Sequence, residues 1–192
     1  MSAAPAAKDE IVDRLFAVFR DRGFEGASLA DLSRATGLGK SSLYHHFPDG
    51  KEQMAKAVLE RATAVIDSEI LGTAQAAGSL KTRIRKIVAT FDQMYAGGST
   101  PCVLGQLSSA DMGAEARKNL GQALAHWIEA IEILARESGL APLKARHFAE
   151  DWVARVQGAL VMQAATGEIG PYRRALNALL DLSKDSASRA PD

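Results

Sequence analysis

Two short amphipathic segments on either side of Thr36-Gly37-Leu38-Gly39 constrain this 192-residue chain more than any other feature. A turn of that length leaves the helices it joins no option but a steep angle. Ser28 can cap the free backbone N–H groups of the first helix, and Asp31, three residues on, can reciprocate as a variant capping box. Leu29, Leu32 and Ala35 then share a face. Gly37 suits a left-handed helix end, and Gly39 can open the next helix. In that second helix Leu43 and Phe47, spaced i, i+4, dock on the first and leave Lys40, Ser41, Ser42, Tyr44 and His45 facing outward. Such a helix has the size and decoration to enter the major groove of DNA.

Apolar residues recur with a helical period along the rest of the chain, and strand-like alternation is nearly absent, so the expected class is all-α. A first helix is expected over about Lys8–Arg22, closed by Gly23, with Ile11, Val12, Leu15, Phe16 and Phe19 packing behind the helix pair. A long helix follows from about Lys51 to Leu71. The next, about Ser79–Ala96, turns Leu80, Ile84, Ile87, Val88, Phe91, Met94 and Tyr95 inward and Lys81, Arg83, Arg85 and Lys86 to solvent. After the turn-rich Gly97–Gly105 comes a short helix near Gln106–Met112, then helices near Ala114–Ser138, Pro142–Thr166 and Pro171–Leu182. The expected organisation is a three-helix helix-turn-helix domain over residues 1–50, a larger helical domain for effector binding and dimerisation over 51–185, and a flexible polar tail over 186–192.

Charge limits the partners. Lys plus Arg and Asp plus Glu each number 23, so no global field draws the chain to nucleic acid, and any such affinity must come from placed groups. Cys102 is the only cysteine, which excludes an internal disulfide and a cysteine-rich zinc site and fits a reducing cytoplasm. The N-terminus lacks the basic start and apolar run of a secretory signal, and no segment has the length to span a bilayer. A cytoplasmic protein without membrane attachment is expected.

The helix-turn-helix, the run Leu43-Tyr44-His45-His46-Phe47-Pro48, the restart Lys51-Glu52 and a larger helical body resemble the TetR/AcrR family of transcriptional regulators over roughly Ile11–Glu60. One departure is Asp49-Gly50 before Lys51-Glu52, one residue longer than the commoner Pro-x-Lys-Glu. That insert, the Thr-Pro-Cys-Val-Leu-Gly loop and the late Thr-Gly-Glu-Ile-Gly-Pro-Tyr-Arg-Arg-Ala-Leu run resemble the LmrA/YxaF-type branch. The resemblance implies a homodimer whose heads read the halves of a palindromic double-stranded operator and whose bodies bind a small-molecule effector that releases DNA. It also implies that Tyr44 and His45 touch phosphates or bases, that Lys51 and Ser28 support the DNA backbone on either side, and that His46 packs beneath the head. Lys40, Ser41 and Ser42 stand at a helix N-terminus suited to phosphate.

Phe91, Tyr95, Trp127, Met162, Gln163 and Gln106 are the effector candidates, although an aromatic and methionine stripe at helical spacing is equally the signature of plain core. A buried amide needs a partner that a ligand could supply, and the absence of a charge cluster favours a mostly apolar or aromatic effector. Trp152, Val156, Ala159, Leu160, Leu176 and Leu179 are the dimer candidates, as two copies of the last two helices make a four-helix bundle; the same face could instead pack on its own body. A loop Cys102 could be an exposed redox sensor, though nothing basic lies beside it in sequence. His45 and His46 point about 100° apart and cannot share a metal unaided. No cofactor, metal or catalytic constellation is expected; the competing readings are a helical interaction module and a small enzyme, each without DNA binding.

Overall fold

The computed structural model describes residues 8–185. The tail expected over 186–192, and the start of the chain where a secretory signal was sought, lie outside the described residues. The described residues form helices and turns, with no strand. In order they are α1 (Lys8–Gly26), α2 (Leu29–Thr36), α3 (Lys40–His46), α4 (Lys51–Val65), a π-helical turn (Ile66–Leu71), α5 (Gly72–Gln75), α6 (Leu80–Met94), a 3₁₀ turn (Ala96–Gly98), α7 (Val103–Leu107), α8 (Gly113–Glu137), α9 (Pro142–Thr166) and α10 (Gly170–Asp185).

One boundary falls where the sequence puts it and one differs. Regular helix in α1 breaks at Gly23, at φ 66° and ψ −175°, and beyond the break Phe24 stacks on Phe19 at 6.2 Å. The short helix expected near Gln106–Met112 starts earlier, at Val103, because Val103, Leu104 and Leu107 are the residues that go inside.

The chain divides into two compact units, one of residues up to Ala64 with Val103–Ala123, the other of Val65–Cys102 with residues from Leu124 onward. The helix-turn-helix therefore sits in a unit that extends past residue 50 to take in most of α4, α7 and the start of α8. Ile11, Leu15, Phe19, Leu32, Leu43, Met54, Leu59 and Leu107 are fully buried in it.

The second unit is built on aromatic side chains. Phe91 lies 5.1 Å from Trp127 and 5.2 Å from Trp152, and Tyr95 stacks on Phe91 at 6.1 Å. Trp152 Nε1 donates to the Ala175 carbonyl at 2.7 Å and the Tyr172 hydroxyl donates to the Phe91 carbonyl at 2.9 Å, which ties α9 to α10 and α10 to α6. Arg83 corrects the reading of a solvated basic face: it is buried, donates to the Ala74 carbonyl at 2.5 Å and pairs with Glu137 through both ends of its guanidinium. The pairing joins the end of α5 and the start of α6 to the end of α8. A carboxylate fork is the partner that lets a guanidinium leave water. His126 Nδ1 stands 2.5 Å from the Asp67 carboxylate on the π-helical turn.

Candidate nucleic-acid interface

The helix pair is fixed by its caps and by two outside latches. The Asp31 amide donates to Ser28 Oγ at 3.1 Å and the Ser28 amide to the Asp31 carboxylate at 3.3 Å, completing the capping box. The Ser28 hydroxyl, and then Arg22 and Arg34, hold the Asp31 carboxyl below the usual carboxylate range. Gly37 takes the left-handed conformation at φ 72°. Arg14 on α1 donates to the Thr36 carbonyl at 2.9 Å, and Ser33 Oγ donates to the Leu38 carbonyl at 2.5 Å. The first satisfies a carbonyl that the end of α2 leaves open, the second holds the Leu38 carbonyl in the turn, and together they fix the turn that aims α3. Sequence reading missed Arg14. Its i, i+4 partner Glu10 was visible, but the reach across to Thr36 is a tertiary fact.

Leu43 and Phe47 are buried as their spacing requires, and Lys40, Ser41, Ser42, Tyr44 and His45 are all exposed. Lys40, Ser41 and Ser42 have no side-chain hydrogen bond or ion pair with the described residues. The other two DNA candidates are engaged inside the unit. Ser28 spends its hydroxyl on the cap, and Lys51 Nζ donates to the Phe24 carbonyl at 2.8 Å while sitting 4.4 Å from that ring's centre. His46 is half-buried, its ring 6.4 Å from that of Phe47.

The effector candidates do not converge. Phe91, Tyr95 and Trp127 lie together in the aromatic core, Met162 is 51% exposed, Gln163 is half-buried on α9, and Gln106 is exposed in the first unit. Trp127 Nε1 is buried without an acceptor. Two cavities of about 520 and 420 Å³ along α6 and α10 are lined instead by residues such as Lys81, Arg85, Val88, Asn177 and Leu180. All six dimer candidates, Trp152, Val156, Ala159, Leu160, Leu176 and Leu179, are buried within the chain's own body. The outer face of α9 carries Ala154, Gly158, Val161, Met162 and Ala165, all exposed. Cys102 is not an exposed loop thiol: it is buried, and Tyr95 Oη and Gln157 Nε2 donate to its sulfur at 3.3 and 3.2 Å. Burial and the Cys102 sulfur push the Tyr95 hydroxyl well above its ordinary pKa.

Among the described residues no group of three or more His, Cys, Asp or Glu side chains is placed to hold a metal, and no helix is long and apolar enough to cross a membrane.

Residues 11–58 match the family described as bacterial regulatory proteins, tetR family. Over 53 residues the chain is 36% identical to the biofilm operon icaADBC HTH-type negative transcriptional regulator IcaR of Staphylococcus epidermidis, a match covering 28% of each protein. It is 21% identical to the HTH-type transcriptional regulator LmrA of Bacillus subtilis over 182 residues, 93% of this chain and 97% of LmrA. In fold it is similar to a TetR transcriptional regulator from Legionella pneumophila, with a TM-score of 0.81 at 18% identity over 93% of this chain and 97% of that one. The reduced form of Escherichia coli NemR gives a TM-score of 0.73 at 20% identity, covering 89% of this chain and 93% of NemR. The matched segment contains the whole helix-turn-helix, so residues 11–58 are a segment of the kind found in bacterial regulatory proteins of the tetR family, and the likeness in fold continues through the rest of the chain.

Proposed function

We propose that the chain is a DNA-binding repressor that reads a palindromic operator as a homodimer and lets go when a small effector binds. The observation that carries this reading is the exposed row Lys40, Ser41, Ser42, Tyr44 and His45 on a helix whose angle is locked by the capping box, Arg14 and Ser33. Backbone N–H groups at the start of α3 and short hydroxyls beside them suit phosphate and close approach to base edges. Lys51 and Ser28 then act from behind, by holding the unit in shape. Two such helices must stand about 34–36 Å apart to enter successive major grooves, so a palindrome is the matching target.

The dimer is assigned to the outer stripe of α9, where Ala154, Gly158 and Ala165 permit close approach and Val161 and Met162 supply apolar surface. The buried candidates on α9 and α10 support that stripe from within. For the effector, the buried Trp127 Nε1 is a donor that an uncharged ligand entering the aromatic cluster would satisfy. The match to LmrA along nearly the whole chain supports placing the protein near the LmrA/YxaF-type branch.

The test is a titration of the protein against the DNA upstream of its own gene. Binding should be saturable, specific to one palindrome and weakened roughly tenfold or more by Tyr44→Ala with the melting temperature unchanged. Equal affinity of Tyr44→Ala and the parent would sink the assignment of this helix face.

A further inference from the structure

We infer that Gly50 is a positioning residue for Tyr44: the space left by its missing side chain seats the phenol ring against the turn between α3 and α4, and so fixes where the hydroxyl stands on the exposed face. The inference rests on the reading of Tyr44 as a DNA contact. Gly50 belongs to the Asp49-Gly50 turn that makes this chain one residue longer here than the commoner pattern. The turn is well tied down. The Gly50 amide donates to the Phe47 carbonyl at 2.9 Å, the Met54 amide donates to the Gly50 carbonyl at 3.1 Å, and the Asp49 amide donates to Gln53 Oε1 at 3.0 Å.

Gly50 is buried and sits at φ 69°, and a Cβ built there would stand 3.3 Å from Tyr44 Cε1, 3.9 Å from its hydroxyl and 4.0 Å from Cζ. A carbon at 3.3 Å is inside ordinary van der Waals separation, and the backbone on one side cannot retreat because three hydrogen bonds hold it. The ring must move instead. Tyr44 is free to do so, since it is 45% exposed and its hydroxyl has no partner among the described residues. Glycine is therefore needed here twice over, once for the left-handed backbone and once for the ring. Asparagine separates the two needs, because it tolerates positive φ yet carries a Cβ.

The experiment compares operator affinity for the parent, Gly50→Asn, Tyr44→Ala and the double variant. A hydrogen bond to a charged phosphate lost from each head should weaken binding roughly tenfold or more in Tyr44→Ala. A displaced ring should cost Gly50→Asn about fivefold, and that penalty should vanish in the Tyr44→Ala background. A Gly50→Asn penalty that persists undiminished without the ring, or no penalty at all, overturns the inference. Proton NMR of the unaltered, DNA-free protein gives a second readout: a nuclear Overhauser effect between the Gly50 α-protons and the Tyr44 ring is expected, and its absence overturns the seating directly. Should Tyr44→Ala bind like the parent, the DNA reading fails while the NMR result still decides whether Gly50 seats the ring.

Discussion

Gly98 meets an aromatic ring as Gly50 does, but in the core, where the ring has nowhere to go. At φ 97° a Cβ on Gly98 would fall 2.5 Å from Cδ1 of Tyr172, a fully buried ring anchored through its hydroxyl to the Phe91 carbonyl. Gly98→Ala combines overpacking with left-handed strain and should cost about 3 kcal/mol. Thermal melting should show this as a drop of roughly 6–12 °C; an unchanged melting temperature would mean the ring relaxes where its packing says it cannot. In the sequence Gly97-Gly98 reads only as a turn, because the residue that makes Gly98 irreplaceable, Tyr172, lies on α10 beyond three intervening helices. The exposed row on α3 was legible for the opposite reason, since burial of Leu43 and Phe47 within one short helix settles which way Lys40, Ser41, Ser42, Tyr44 and His45 face.

For whole elements, local signals located the helices, and tertiary partners decided what each face does. The capping box at Ser28, the left-handed Gly37 and Pro142 opening α9 all stand where nearest-neighbour chemistry puts them. Arg83 was misplaced because a charged run on an amphipathic helix ordinarily faces water, and its partner Glu137 enters only when α8 packs beside α6. That pair makes a pH prediction. The Arg83 guanidinium, bonded to the Glu137 carboxylate, holds that carboxyl below the usual range. A lowered folded-state pKa means stability that is present above the unfolded value, about 4.3, and is lost as pH falls through the folded pKa. Because Glu137 is partly exposed, solvent screening leaves about 1 kcal/mol at neutral pH. Denaturant melts of Glu137→Gln should show that loss at pH 7 and a deficit that shrinks steadily as pH falls below the unfolded value; an equal deficit across that range would point to packing instead of charge. At the N-cap of α2, Ser28→Ala offers a comparison of about the same size, roughly 1 kcal/mol.

Across the molecule, the all-helical class and the tetR-family segment were readable from the chain, and the structure buries all six residues that the sequence offered for a dimer. Trp152, Val156 and Leu179 on α9 and α10 are buried in the chain's own body. Left outside on α9 are Val161 at 69% and Met162 at 51% exposure among Ala and Gly. Sedimentation should find the parent dimeric at micromolar concentration and Val161→Glu/Met162→Glu monomeric with its helix content kept, while Val156→Ala should lower stability and leave association intact. A double variant that stays dimeric places the interface elsewhere. Lys51, seated on Phe24, bears on how such a dimer meets DNA in a salty cell. With its ammonium tied down, and Arg14, Arg22 and Arg34 facing Glu10 and Asp31, each reading head has few cations ready to displace counterions from phosphate. Affinity should therefore decline gently with ionic strength, with a log–log slope of about −2 to −4 for the dimer at roughly −0.9 per phosphate neutralised, and a measured slope near −8 would mean those arginines leave their partners on binding. A shallow slope also means little grip on arbitrary sequence, so the operator competes with the rest of the chromosome on shape and base edges more than on charge.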